Sequence, residues 1–579
     1  MKNEDLTLKI AKLFNDIADL LEIKGENPFR IRAYRRASQN IEGFPKDIAE
    51  TPEKELMEIP GIGKDLAGKI IEYVKTGHLT VFEELKKEAP QGISEILSIP
   101  GIGPKTARLI STKIKIKNID DLEQLAKEGK LRGLPGIKAK TEENILKGIA
   151  MVKRRTDRQP IGRVLPIAED ILGQLRQTAP VKEIFLAGSL RRWKDTIKDI
   201  DILATSGAPK EVMNVFIHLP QAKDVLAHGT TKSSIVTREG IQVDLRVVEE
   251  NSLGSALCYF TGSKEHNIRL REMALKNGLK INEYGIFRTT TGRKIGGKNE
   301  NDIYKALGLL FIPPEIREDN GEIEAAAAGK LPELINIADI KGDLHVHTKW
   351  SDGSHDFEEL VSKAKKRGYE YIAITDHSKG LGIARGMSEE QVLRQNREIK
   401  EINKKLKGFK LLSGIEVDIR SDGTLDYPAK VLRELDIVVA SIHSGFRQGR
   451  EQLTKRLISA MKNPHVSVIA HPTGRLMGER NAYDVDIDEV LKTASETGTA
   501  MEINAYPFRL DLNDIYAKRA KEMGILLVIS TDTHMTSHFG YMIYGVSVAK
   551  RGWLEKKDVL NTCDYEALMK RLAAKKKSP

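Results

Sequence analysis

Asp199 and Asp201 stand two apart in KDIDIL, and Asp244 stands alone among apolar neighbours in IQVDLRVV. Alternate residues of a strand face the same way, so the first pair projects from one face. A carboxylate in a strand otherwise suited to burial is costly unless it is paired or binds metal. Three such carboxylates can hold two Mg²⁺ ions, which activate an attacking hydroxyl and neutralise a triphosphate leaving group. Just upstream, the strand-like run IFLA ends in Gly188-Ser189, where the backbone can approach a phosphate closely.

A second set of candidates lies further on. Nine of the 13 histidines follow residue 340, in or near GDLHVHTKWSDG, AITDHS, LSGIEVD, ASIHSG, IAHP and STDTH. These segments sit at the ends of apolar, β-branched runs such as YIAIT, DIVVAS and LLVIS, with amphipathic segments between them. Strand alternating with helix is the βα pattern, and ligands at successive strand ends converge on one face of a barrel. About seven such units are expected, a distorted (β/α)7 TIM-like barrel. Imidazoles with Asp352, Glu416 and Asp532 suit Zn²⁺, Mn²⁺ or Fe²⁺. Clustered divalent ions of this kind hydrolyse phosphoesters. His355, His465 and His538 read as surface or supporting residues. Arg420 and Arg475 read equally as phosphate grips or as a solvated face.

These residues need elements to position them. IPGIGKDLAGKI (59–70), IPGIGPKTARLI (99–110) and LPGIKAKTEENI (134–145) repeat a Pro-Gly turn that leads into a helix. The turn aims backbone N–H groups where a phosphate can bind without any base being read. The pattern resembles the helix-hairpin-helix motif, which implies DNA contact at Gly61, Gly63, Gly101, Gly103 and Lys105. The third copy has Lys138 where the others have glycine. FRIRAYRRA (29–37) sets four arginines around Tyr34, a solvated face or, as preferred here, a DNA-contacting one. Residues 313–341, with a proline pair, acids and an alanine run, read as a linker with helical tendency.

The 579 residues carry 93 Lys and Arg against 82 Asp and Glu, a net +11. The expectation is that the excess follows phosphate, at the hairpins, Arg191 and Arg192, and more weakly at Lys575–Lys577. With two cysteines, neither a disulfide scaffold nor a thiolate zinc site is plausible. No apolar run approaches a membrane span, and the N-terminus lacks a signal-peptide pattern. A cytoplasmic monomer without membrane contact is expected.

Gly-Ser, then Asp-x-Asp, then a strand Asp resembles the nucleotidyltransferase core of the DNA polymerase beta fold. YFTGS (259–263) narrows the resemblance to family X DNA polymerases. It implies metal ligation by Asp199, Asp201 and Asp244, and triphosphate binding by Gly188, Ser189, Arg192 and Arg163. It further implies sugar discrimination by Tyr259 and Phe260 in the Gly262 turn, with Asn267 and Arg271 contacting the nascent pair and template. Lys69 holds the place of a Schiff-base lysine of a 5′-deoxyribose phosphate lyase, or is an exposed helix residue or phosphate contact. Asp65 departs from the basic residue expected beside it, and WKDTIKD replaces a Gly/Ser-rich loop.

The rear segment resembles the PHP domain. All nine positions of that domain's trinuclear site are filled, by His345, His347, Asp352, His377, Glu416, His443, His471, Asp532 and His534. Together the parts resemble bacterial and archaeal family X polymerases that end in a PHP domain. This implies helical domains at 1–80 and 81–155, an α+β palm at 156–250, a thumb at 251–312, a linker at 313–340 and the barrel at 341–579. Gapped or nicked DNA and dNTPs would be the partners, with Mg²⁺ in the palm. Gap filling with 3′–5′ exonuclease, 3′-end phosphatase and abasic-site incision is the implied function. The alternatives are a PHP nuclease on an inactive core and a non-catalytic DNA-end scaffold.

Overall fold

The computed structural model describes residues 2–42, 48, 51–59, 61–88, 93–97, 99, 102–114, 116, 118–139, 141–143, 145–146, 148–149 and 158–577. The chain forms two compact units, 1–157 and 158–579.

The first unit is helical. In α1 (Lys2–Lys24), Ile10, Phe14, Ile17 and Leu21 recur at helical spacing and are buried against α2 (Pro28–Glu42). Tyr34 is buried too, its ring edge-on to Phe14 at 5.5 Å, so it belongs to the helical core and offers DNA no face. The two glycine hairpins are built alike. Ile62 N–H donates to Ile59 O and Ile102 N–H to Ile99 O, each at 3.0 Å, and all four isoleucines are buried. Gly63 and Gly103 then cap α3 (Lys64–Thr76) and α4 (Pro104–Lys113) in extended conformation. The third copy keeps the turn, with Ile137 N–H on Leu134 O at 3.1 Å. Gly101 lies outside the described residues.

The second unit begins with α5 (Ile161–Thr178), β1 (Glu183–Leu186), β2 (Asp199–Thr205), β3 (Ala222–His228), β4 (Lys232–Thr237) and β5 (Gln242–Val248). The sheet runs β1-β2-β5-β4-β3, with β2 and β5 parallel and Asp201 in register with Asp244. Two helices follow, α6 (Leu253–Thr261) and α7 (Lys264–Lys276), then a small sheet of β6 (Leu279–Asn282), β7 (Gly285–Arg288) and β8 (Lys294–Gly296).

The segment read as a linker is packed into this body. Arg317 is fully buried, donating to Ile312 O at 2.9 Å and pairing with Glu300 at 2.6 Å. Ile316, Ile323 and Ala326 join the core that includes Leu270 and Tyr304.

Seven strands make the barrel, in order β9 (Gly342–Val346), β10 (Tyr371–Ile374), β11 (Lys410–Asp418), β12 (Ile437–Ser441), β13 (Val468–Ile469), β14 (Ala500–Asn504) and β15 (Leu527–Ser530). All neighbours pair parallel, and their residues are almost all buried, as strands covered on both faces require. A bridge between Val346 and Thr533 brings the first and last strands together. After β15, α8 (Met542–Arg551) packs against β14 and β15. No helix among the described residues is long and apolar enough to cross a membrane.

Candidate active sites

In the palm, Gly188 opens the turn after β1 with φ +61°, and a Cβ there would lie 2.3 Å from Asp201 Oδ2. Glycine thus lets the backbone lie directly on the carboxylate. Burial, then Asp199 and Asp244, push the Asp201 carboxyl up to about 7. Such a group is costly as an anion and accommodates a positive ion. The three palm carboxylates share adjacent strands but do not form one of the tight groups described below for the barrel.

The basic residues near this turn are engaged. Arg192 is buried, its Nε on Glu318 at 2.9 Å and a terminal nitrogen on Thr261 O at 2.6 Å. Arg191 forks onto Glu300 at 2.9 and 2.7 Å. The sequence reading placed excess positive charge at these two arginines; both are neutralised by carboxylates 109 or more residues away in the chain. Ser189 is partly exposed and Arg163 exposed, the latter touching Gln159 at 3.4 Å. Tyr259 and Phe260 meet edge-to-face at 5.0 Å, and the Arg246 guanidinium lies over Phe260 at 4.6 Å. Asn267 donates to Tyr259 O and Gly262 O at 2.7 and 3.2 Å, so its amide holds the YFTGS turn. Arg271 is exposed, bonded to Asn267 O.

In the first unit, Gly61 adopts φ +85°, and the Lys69 ammonium is joined to Asp65 one helical turn away. Lys105 is exposed on the first turn of α4.

The barrel brings all nine of its candidate ligands to one mouth. Three groups have ligand atoms within 4.8 Å of one another: His347, Asp352, His377 and His534; His345, His347 and Asp532; and His377, Glu416 and His443. His471 joins through Glu416 at 3.0 Å. Shared members link the groups into one centre. Among the described residues, His345 Nε2, both His347 nitrogens, His377 Nδ1, His471 Nδ1 and Glu416 Oε2 are buried with no hydrogen-bond partner. Orphaned imidazole nitrogens converging with carboxylates fit divalent cations. Burial and the His534 and His377 charges hold His347 down to about 3, in the neutral form a metal ligand needs. Although burial opposes it, Asp352 raises His534 to about 9, since the carboxylates facing the mouth favour a cation there.

Sequence reasoning passed over the supports of this centre. Glu502 accepts from His345 Nδ1 at 2.8 Å, from His471 N–H at 2.7 Å and from Ser530 at 2.6 Å. Asn504 donates to Asp532 at 3.1 Å. Asp418 faces His443 at 3.4 Å. Glu502 did carry a signal, a lone acid in the apolar run AMEIN.

Arg475, read as a phosphate grip or a solvated face, is neither. It donates to the carbonyls of Arg509 and Leu510 and pairs with Asp195 of the palm at 3.0 Å. Arg420 pairs with Asp426 at 2.9 Å. Lys575 and Lys576 donate to Met461 O and Leu435 O, so these tail lysines are packed rather than presented to phosphate.

Comparison with known proteins matches residues 7–79 to a helix-hairpin-helix domain and 93–150 to a SAM-like helix-hairpin-helix tandem. Residues 256–318 match the DNA polymerase beta thumb, and 343–506 the PHP domain. Over 567 residues, 97% of this chain and 99% of the relative, the sequence is 40% identical to the DNA polymerase/3′-5′ exonuclease PolX of Bacillus subtilis (strain 168). The chain is also 32% identical over 232 residues, 38% of this chain and 89% of the relative, to a protein of Thermoanaerobacter sp. (strain X514) described as a probable phosphatase. It is 29% identical over 229 residues, 38% of this chain and 86% of the relative, to one of Shewanella sp. (strain ANA-3) with the same description.

Proposed function

The chain belongs to the PolX family of DNA polymerase/3′-5′ exonucleases, and from that membership we propose that it fills short gaps in DNA and trims their 3′ ends. The observation that carries this is the presence, in one compact unit, of a glycine turn lying on paired strand carboxylates and of a nine-ligand mouth. Divalent ions serve both centres; we assign Mg²⁺ to the palm and Mn²⁺, Zn²⁺ or Fe²⁺ to the mouth.

In the palm, Asp199, Asp201 and Asp244 would hold the ions, which lower the charge on the reacting phosphates and the proton affinity of the attacking hydroxyl. Ser189 and the backbone of the Gly188 turn would orient the triphosphate, with Arg163 at its open side. Arg192 anchors that turn through Glu318 and Thr261. Tyr259 and Phe260 would face the sugar, and Arg271 the template. In the barrel, the nine ligands would fix the ions while Glu502 orients His345. The helical unit would track the DNA backbone through its two glycine hairpins, in a sequence-independent way. We read the protein as a monomer acting in the cytoplasm.

The test is a labelled one-nucleotide-gap substrate, with and without dNTPs and Mn²⁺. Extension should vanish in Asp199→Ala/Asp201→Ala while shortening of the 3′ end persists. His345→Ala should do the reverse. Absence of extension by the unaltered chain overturns the polymerase reading in favour of a nuclease on a DNA-binding body. Absence of both reactions, and of bound metal, leaves a DNA-end scaffold.

A further inference from the structure

Between the palm turn and the barrel mouth runs a chain of neighbouring rings. Trp193 of the palm meets Tyr544 at 5.9 Å, Tyr544 meets Tyr541 at 6.3 Å, and Tyr541 stacks near His538 at 4.8 Å. Tyr506 closes the end, 5.8 Å from Tyr541 and 6.5 Å from His538. All five are partly exposed, although Phe539, on the same turn as His538 and Tyr541, is wholly buried in the core. The turn therefore separates a packing ring from outward ones.

Both ends of the chain adjoin candidate phosphoester chemistry. His538 Nδ1 accepts from the backbone N–H of His534, a mouth ligand, at 3.3 Å. Tyr506 N–H donates to Asn504, whose amide holds Asp532. At the other end Trp193 directly follows Arg192. A run of partly exposed rings between two such centres is what single-stranded nucleic acid recruits, its bases stacking on the ring faces.

We infer that Trp193, Tyr544, Tyr541, His538 and Tyr506 form a stacking path for a single-stranded DNA 3′ tail running from the palm to the mouth. This rests on the nuclease reading above. The tail's terminal bases stack on Tyr506, His538 and Tyr541, its terminal phosphodiester faces the nine ligands, and only longer tails reach Tyr544 and Trp193.

The experiment measures affinity of the full chain, with Ca²⁺ replacing the catalytic ions, for fluorescein-labelled duplexes bearing 3′ oligo-dT tails of up to about six nucleotides. Stacking on one ring is worth about 5- to 150-fold. The ratio of tailed to tail-free affinity should fall by that order in Tyr541→Leu and Tyr506→Leu and be kept in Tyr541→Phe. In Trp193→Leu it should fall for the longest tails alone. Thermal transitions certify that each variant is folded. An equal ratio in wild type and Tyr541→Leu, or equal loss at every tail length in Trp193→Leu, overturns the path. Failure of the unaltered chain to shorten any tail under Mn²⁺ overturns the nuclease reading instead.

Discussion

Arg551, at the end of α8, donates to the backbone carbonyl of Arg192 at 2.8 Å and shares Glu318 Oε1 with that residue's side chain, 2.9 Å from each. A barrel residue therefore helps hold the palm turn that carries Gly188 and Ser189. Arg551 is itself nearly buried and also pairs with Asp514 at 2.6 Å. Removing one partner of a buried ion pair costs about 3–5 kcal/mol, because the remaining charge is stranded. Asp514 is partly exposed, so Arg551→Met should fall at the lower end, read as a depressed thermal transition. With the Arg192 turn loosened, KM for dNTP should rise more than kcat falls in single-nucleotide gap filling.

Gly188 offers a sharper cut. Alanine there must tolerate φ +61° and place Cβ 2.3 Å from Asp201 Oδ2. Strain of this kind costs about 1–3 kcal/mol. The greater effect should be on the carboxylate, which must move away from its register with Asp244. Primer extension by Gly188→Ala should fall by about 10² or more, since a displacement near 1 Å costs that much. Shortening of 3′ tails by the same preparation, followed on the same gel, should continue.

How much of this was legible beforehand depended on the range of the interaction. The barrel strands were plain in runs such as YIAIT and DIVVAS, because burial on both faces demands continuous apolar residues. Histidines at the ends of those runs converge by topology alone, and the nine candidate ligands meet at one mouth. The glycine hairpins were legible because a local turn makes them. Arg475 was not legible, since its partner Asp195 lies 280 residues away. The segment at 313–340 looked like a linker because its composition is polar, yet the buried Arg317 ties it to Glu300 and Ile312. Tyr34 looked like a DNA contact among arginines, and only helix packing against Phe14 turns it inward.

Glu502 is expected to matter to the barrel centre without entering it. By accepting from His345 Nδ1 at 2.8 Å it fixes the tautomer that leaves Nε2 directed at the mouth. Loss of such a support typically lowers metal affinity or activity about 10–100-fold. Glu502→Gln keeps the shape but cannot accept equally from His345, His471 and Ser530. Metal bound per chain after dialysis against graded Mn²⁺ should show a midpoint shifted to higher concentration. Nuclease activity should recover as Mn²⁺ is raised. A midpoint equal to that of the unaltered chain would remove Glu502 from this role.

The buried pair of His266 and Glu322 makes the thumb region sensitive to acid. The ring's Nδ1 lies 2.6 Å from the Glu322 carboxylate, which also accepts from the N–H groups of Asp319 and Asn320 at 2.8 and 2.7 Å. Burial depresses His266 below its ordinary 6.5, although Glu322 opposes this. Glu322 lies below its ordinary 4.5, because hydrogen bonds and the facing imidazole outweigh its burial. With both folded values depressed, the unfolded chain takes up protons first. Stability is therefore complete above pH 6.5, falls as His266 would protonate in the unfolded chain, and falls again below 4.5. Hydrogen exchange of the amides in α7 should accelerate as the pH is lowered through the first of these ranges, after correction for intrinsic rates. His266→Gln should remove that first decline, leaving the one due to Glu322. An unaltered pH profile in His266→Gln would assign the acid sensitivity elsewhere.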